Sequence, residues 1–185
     1  KNGKLLRDHE PHDSLTITDI FAHSSNIGMS KIINNIDNID LYKYCKLFGF
    51  GTKTGISLSD ESKGLLRTNN AWSQTSKTYI SIGQELSITN LQLAMSYSVI
   101  ANGGYLLKPN IIKKITDNLN QDIYSSKPNI IRQVINKNNA NFILETMKKV
   151  TSYGTAKNLN LEGYNIGGKT GTAQKYINDS YSKDE

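Results

Sequence analysis

Apolar residues recur at helical spacing along much of the chain. The run Leu15-Thr16-Ile17-Thr18-Asp19-Ile20-Phe21-Ala22 predicts a short helix that delivers a turn at Ser24-Ser25-Asn26. Beyond that turn Met29, Ile32, Ile33 and Ile36 predict a second helix, with Ser25 or Asn26 as its cap. Leu41, Tyr44, Cys45 and Phe48 share one face of a helix over 39–48 that stops at Gly49. A helix over 90–101 carries Leu93, Ala94, Tyr97, Ile100 and Ala101 on a wide apolar face, which predicts burial in the core, and Gly103-Gly104 ends it. Over 137–152 a last helix turns Phe142, Ile143, Met147 and Val150 inward, with Gly154 just past its end. Weak alternation predicts extended chain over 106–115 and 130–135, while 65–78, with Trp72, predicts a long surface loop.

A chain of 185 residues that is 37% hydrophobic can bury one sizeable core, which fits one domain rather than two. The net charge of +6 comes mostly from lysines spread along the chain. No basic run interleaved with aromatics occurs, so the reading is of no nucleic-acid partner. No apolar run approaches the roughly 20 residues that cross a bilayer, and Lys1-Asn2-Gly3-Lys4 is no signal-peptide start. The expectation is that any anchor or export signal lies in an N-terminal part absent here. Cys45, the single cysteine, allows no internal disulfide and reads as a small buried hydrophobe. His9 and His12 stand close to acidic residues, but Pro11 between them disfavours the helix that a zinc-binding pair needs. They read as surface loop, and no metal or cofactor is expected.

Chemistry concentrates in Gly167-Gly168-Lys169-Thr170-Gly171-Thr172-Ala173. Its small residues let a ligand approach the backbone, and a lysine and two hydroxyls suit an anion or a peptide carboxylate. The flanking residues predict a strand whose edge could hold an extended peptide. Lys53-Thr54-Gly55 repeats the same tripeptide but lacks the double glycine and follows a helix end, so it reads as a turn. Ser24-Ser25-Asn26 could be ordinary helix capping. Yet a Ser-x-Asn element followed by Lys-Thr-Gly supplies two of the three motifs of serine acyl-transferring enzymes, the other being Ser-x-x-Lys. Ser180-Tyr181-Ser182-Lys183 is the one Ser-x-x-Lys in the chain, and it comes after the other two in a polar terminal run. It reads as coincidental, so the nucleophile is expected upstream of Lys1.

These runs together resemble the transpeptidase domain of class B penicillin-binding proteins. The likeness rests on Pro11-His12, 23–30, 49–64, Ser81-Ile82-Gly83-Gln84 with Gln92-Leu93-Ala94, Ala101-Asn102-Gly103-Gly104, Tyr153-Gly154-Thr155-Ala156 and 167–174. Ser24-Ser25-Asn26 makes it look more like the cell-division branch, although Glu85 departs from the small residue usual there. The resemblance implies an α+β fold, with an antiparallel sheet between helical layers. This chain would hold part of one domain over 1–185, mostly helical, with the Lys-Thr-Gly strand of the central sheet.

It also implies a peptidoglycan DD-transpeptidase whose serine attacks stem peptides ending in D-alanyl-D-alanine and is acylated by β-lactams. The intact protein would sit on the outer face of the inner membrane, with division membrane proteins and a glycosyltransferase as partners. Ser24 would relay a proton to the leaving amine, Lys169 would keep the site positive, and Asn26 would pair with the substrate amide. Thr170, Gly171 and Thr172 would bind substrate, the threonines taking the terminal carboxylate and the Thr172 N–H serving as an oxyanion donor. Two alternatives share the fold: a β-lactam sensor that fails to release the acyl group, and an inactive scaffold without the upstream motif.

Overall fold

The computed structural model describes residues 6–159, 161–171, 176–177 and 180–181. The chain divides into two compact units, the first made of Lys1–Leu41, Thr68–Leu86 and Phe142–Glu185, the second of Tyr42–Arg67 and Ser87–Asn141.

In the first unit, residues 6–16 run without regular structure up to α1 (Ile17–Ala22), whose first turn is capped by Thr16 accepting from the Asp19 amide. α2 (Asn26–Asn34) follows after a three-residue turn, capped by Ser25, and lies so close to α1 that a Cβ on Gly28 would come within 2.6 Å of Ile20. α2 also packs against α4 (Ser76–Ser81), with Ile33 and Ile80 buried. Lys77 on α4 reaches the end of α2, donating to the carbonyls of Ile36 at 2.7 Å and Asn34 at 3.4 Å, which suits a cation at a helix C-terminus. α6 (Lys137–Ser152) contributes buried Met147, Val150 and Thr151 to this unit. Residues 161–171 lie along it: the Gly168 amide donates to the Met147 carbonyl at 3.2 Å, and the Thr151 hydroxyl to the Ile166 carbonyl at 2.6 Å.

The second unit is built on α5 (Asn90–Ala101), which packs against β1 (Tyr105–Leu107), itself paired antiparallel with β4 (Ile130–Gln133). Met95, Val99, Leu106 and Val134 form its core, with Leu47, Phe48, Leu91 and Ile135 around them. Leu47 ends α3 (Asn38–Leu47). Fully burying side chains such as Val99 and Leu106 contributes about 1.5–3 kcal/mol each. Gln92 is the polar centre of the unit. Its side-chain oxygen accepts from the Thr89 amide in a capping box, while its nitrogen donates to the carbonyls of Thr52 at 2.8 Å and Lys63 at 2.9 Å. A separate hairpin, β2 (Lys114–Thr116) with β3 (Asp122–Ser125), is exposed along its length.

The α+β class holds, and all five predicted helices stand within about a turn of their expected bounds. Three details differ. α5 is apolar nearly all round, so its pattern could not choose a face: the buried side is Gln92, Met95, Ser96 and Val99, while Leu93 and Tyr97 are exposed. On α6 Met147 and Val150 point inward as expected, but Phe142 is exposed. The loop over 65–78 is interrupted by a 3₁₀ turn at Asn69–Ala71 and gives way to α4 at Ser76, with Trp72 half-buried.

The sheet is also more divided than expected. Lys169-Thr170-Gly171 runs without a strand partner among the described residues, and just before it the Ile166 carbonyl and the Gly168 amide bond to α6. Beyond it β5 (Tyr176–Ile177) pairs antiparallel with β6 (Ser180–Tyr181), so the described residues hold three two-stranded ladders.

Candidate active site

The turn between α1 and α2 is shaped by a helix end of the Schellman type. The Ser25 amide bonds the Ile20 carbonyl at 2.9 Å and the Ser24 amide bonds the Phe21 carbonyl at 3.2 Å. This closure requires a left-handed residue at Ser24, whose φ is +57°. The same closure ends α3 and α4, where Gly49 and Gly83 take the left-handed position with φ of +95° and +86°; α5 shares the outer bond, Gly104 amide to Val99 carbonyl, with Gly103 at +85°. A serine in place of glycine costs roughly 1 kcal/mol of backbone strain. In exchange, a hydroxyl stands at the helix end.

The residues that follow are held from the N-terminal side. The Ser25 hydroxyl accepts from the Gly28 amide at 2.9 Å and donates to the Asp8 carboxylate at 2.6 Å, and Asp8 also accepts from the Ile27 amide at 2.9 Å. Asp8 thus puts a carboxylate at the N-terminus of α2, where amides and helix dipole favour it. Asn26, the first residue of α2, donates through its side chain to the Arg7 carbonyl at 3.1 Å.

Lys169 meets this turn from a position 145 residues away. Its Nζ donates to Ser24 Oγ at 2.6 Å and to the Thr170 carbonyl at 2.9 Å, and it stands 5.9 Å from the centre of the Phe21 ring. The side chain is half-buried, and burial pushes its ammonium below the ordinary lysine range. Because Ser24 Oγ accepts from the lysine, its own hydrogen is left to be given to a third atom. A hydroxyl so placed can pass a proton while the adjacent ammonium opposes build-up of positive charge elsewhere.

Thr170 meets Thr155 hydroxyl to hydroxyl at 2.7 Å. Among the described residues nothing stands within 4 Å of where a Cβ on Gly168 or Gly171 would lie, which suits close approach of a ligand to the backbone. Thr172 lies outside the described residues, as do Ser182 and Lys183 of the terminal Ser-x-x-Lys. Near the turn, Tyr153 donates to Asp19 at 2.8 Å, and the His23 ring lies between His12 and Tyr153, at 5.1 and 5.8 Å between ring centres. The Tyr153 and Thr16 hydroxyls hold the Asp19 carboxyl below the usual carboxylate range, Thr16 most strongly, and Asp19 in turn raises Tyr153.

The structure therefore brings Ser24, Lys169 and, through Lys169, Thr170 together, with Asn26 two residues from Ser24. Sequence reasoning missed the clasp by Asp8 and the Thr155–Thr170 pair. Asp8 stands 17 positions before Ser25 in a stretch without periodicity, so nothing local marks it. Among the described residues no group of three His, Cys, Asp or Glu side chains is placed to hold a metal.

The profile of the penicillin binding protein transpeptidase domain matches residues 1–185, and the chain belongs to that family. It is 33% identical over 171 residues to the stage V sporulation protein D of Bacillus subtilis, covering 92% of this chain and 26% of that protein. It is 34% identical over 176 residues to the peptidoglycan D,D-transpeptidase FtsI of Buchnera aphidicola, covering 94% of this chain and 30% of that one. Among solved structures, penicillin-binding protein 3 of Mycobacterium tuberculosis in complex with aztreonam superposes with a TM-score of 0.86 at 30% identity, over 96% of this chain and 42% of that chain. The transpeptidase domain of Burkholderia pseudomallei penicillin-binding protein 3 gives 0.83 at 27% identity, over 95% and 50%. The chain thus spans well under half the length of these curated relatives.

Proposed function

We propose that this chain supplies the Ser-x-Asn and Lys-Thr-Gly elements of a serine DD-transpeptidase that cross-links peptidoglycan, as part of a single transpeptidase domain. The observation that carries the reading is the 2.6 Å hydrogen bond from Lys169 to Ser24, which joins two motifs 145 positions apart. In this reading a serine of a Ser-x-x-Lys element outside these 185 residues attacks the carbonyl of the penultimate D-alanine. The proton of the attacking serine passes to the lysine of its own element and is relayed through Ser24 Oγ to the terminal D-alanine as the C–N bond breaks; the acyl group then passes to an amine of a neighbouring stem, whose proton returns to the serine.

Each residue has a part in that sequence. Lys169 keeps Ser24 oriented and the local potential positive. Asn26 pairs with the substrate amide, and Thr170 and Gly171 receive the terminal carboxylate together with Thr172, whose N–H serves as an oxyanion donor. β-Lactams would acylate the same serine, which fits the aztreonam complex of the mycobacterial relative. The intact protein would work on the outer face of the inner membrane in division, alongside membrane partners and a glycosyltransferase. No helix among the described residues is long and apolar enough to cross a membrane.

The test uses the full-length protein and a fluorescent penicillin. The expected result is a covalent adduct that mass spectrometry places on a serine outside residues 1–185 and that builds up far more slowly in Lys169→Ala. An adduct on Ser180, or no adduct on any serine, overturns the reading. Normal penicillin acylation with no transfer from a D-alanyl-D-alanine peptide or thioester analogue to an acceptor amine would point to a β-lactam sensor instead.

A further inference from the structure

We propose that Thr155 is a positioning residue of the substrate site, holding the end of α1 with its backbone and aiming the Thr170 hydroxyl at a ligand carboxylate with its side chain. This inference rests on the transpeptidase reading of Thr170. The Thr155 amide donates at 3.1 Å to the carbonyl of Ala22, the last residue of α1. That carbonyl belongs to the helix end, where acceptors lack partners within the helix. Its Oγ1 lies 2.7 Å from Oγ1 of Thr170. One residue therefore touches the chain two positions before Ser24 and one position after Lys169.

Gly154 makes the approach possible, since a Cβ there would stand 2.3 Å from the Ala22 carbonyl oxygen. The buried glycine brings Thr155 against α1, and Thr155 then spans to the Lys-Thr-Gly segment.

The hydroxyl pair has a directional consequence. Two hydroxyls at hydrogen-bond distance share one hydrogen between them and leave the other for an outside acceptor. With a carboxylate bound beside Lys169, the favoured arrangement has Thr155 donate to Thr170 and Thr170 donate outward to the anion. Donation into Thr170 also polarises its O–H, strengthening the outward bond. Without the Thr155 hydroxyl, Thr170 keeps its own hydrogen but loses the partner that fixes its direction. Both threonines are exposed, so the effect falls on ligand recognition more than on folding.

The experiment measures second-order acylation of the full-length protein by benzylpenicillin and by its methyl ester, which lacks the carboxylate charge. Thr155→Val should lower acylation by the free acid about tenfold, the size of one hydrogen bond, and acylation by the ester less than about twofold. Thr155→Ser should return the free-acid rate to within about threefold of wild type, and the melting temperature should stay within a few degrees throughout. Thr155→Ala gives the same comparison should the valine variant not fold. An equal loss for both ligands, or no loss for either, overturns the positioning role while leaving the transpeptidase reading intact. A wild-type protein that neither ligand acylates removes that reading, and this inference with it.

Discussion

At Lys53-Thr54-Gly55 the backbone amides of Thr54 and Gly55 close on the carboxylate of Glu61, at 2.6 and 3.1 Å, and Lys53 points into solvent. At Lys169-Thr170-Gly171 no carboxylate of the chain is bound there among the described contacts. The lysine is half-buried, turned back onto Ser24, and the glycine stands open. The first copy lies in the second unit, the other in the first. At the first copy the amides are taken by an internal acid that closes a turn, with Gly55 at a φ of +76°; at the second, in the proposed reading, they are left for a ligand carboxylate. What separates structure from function is the surroundings: a nearby Glu in one case, a strained serine on another element in the other.

The comparison makes its largest demand on the lysines. In the full-length protein Lys169→Ala should slow acylation by a penicillin on the order of 10²- to 10⁴-fold, the range for loss of positioned proton-transfer chemistry. Lys53→Ala should leave the rate within about twofold, because its ammonium touches nothing that reacts. Comparable losses in the two variants, read from stopped-flow acylation, would erase the distinction between the copies.

A smaller effect separates strain from chemistry at Ser24. Ser24→Gly relieves the left-handed backbone and Ser24→Ala does not, so the glycine variant should be more stable than the alanine variant by about 1 kcal/mol in urea unfolding. Both should lose acylation to the same degree. If the glycine variant kept its activity, the hydroxyl would have no part in the reaction.

The smallest effects are in pH: stability rises with pH at both copies, in the acid range at Glu61, where the fold favours the charged form, and in the alkaline range at Lys169, where burial penalises it. Glu61 is held below its ordinary 4.5, chiefly by the Thr54 hydrogen bond. Its folded-state pKa is depressed, so its contribution is present above 4.5 and is lost as pH falls through the folded value. Glu61→Gln should flatten that acid limb of the stability curve. Lys169 is pushed below 10.5 by burial, so between its folded value and 10.5 the unfolded chain binds more protons and stability rises with pH. Lys169→Met should remove that alkaline rise, and thermal melts across pH would show it.

Much of this was legible because it is local. The cap at Ser25 and the glycines at 49, 103 and 154 announce helix ends from within a few residues, and so the bounds of α2, α3, α5 and α6 could be read closely. The pairing of Ser24 with Lys169 was anticipated from motif order, since the two elements have chemistry only in one site. The buried face of α5 was not readable, because Leu91, Leu93, Met95, Tyr97 and Val99 leave the helix without a polar side. Around Lys169 only part of the expected run can be compared, since 172–175 lie outside the described residues; before it, α6 engages Ile166 and Gly168. Asp8 acts on Ser25 and Ile27 across 17 and 19 positions, and Thr155 on Thr170 across 15, through isolated hydrogen bonds that leave no periodic trace.

The central claim is that Ser24 and Lys169 act as one unit, and a double-mutant cycle on acylation of the full-length protein tests it most directly. Ser24→Ala, Lys169→Ala and the double variant are compared by their second-order rate constants with benzylpenicillin, and residues that act together are strongly non-additive. The predicted result is that the double variant is no more than about threefold slower than the slower single variant. If instead the two losses multiply, the 2.6 Å contact carries no shared chemistry and the account of the site is wrong.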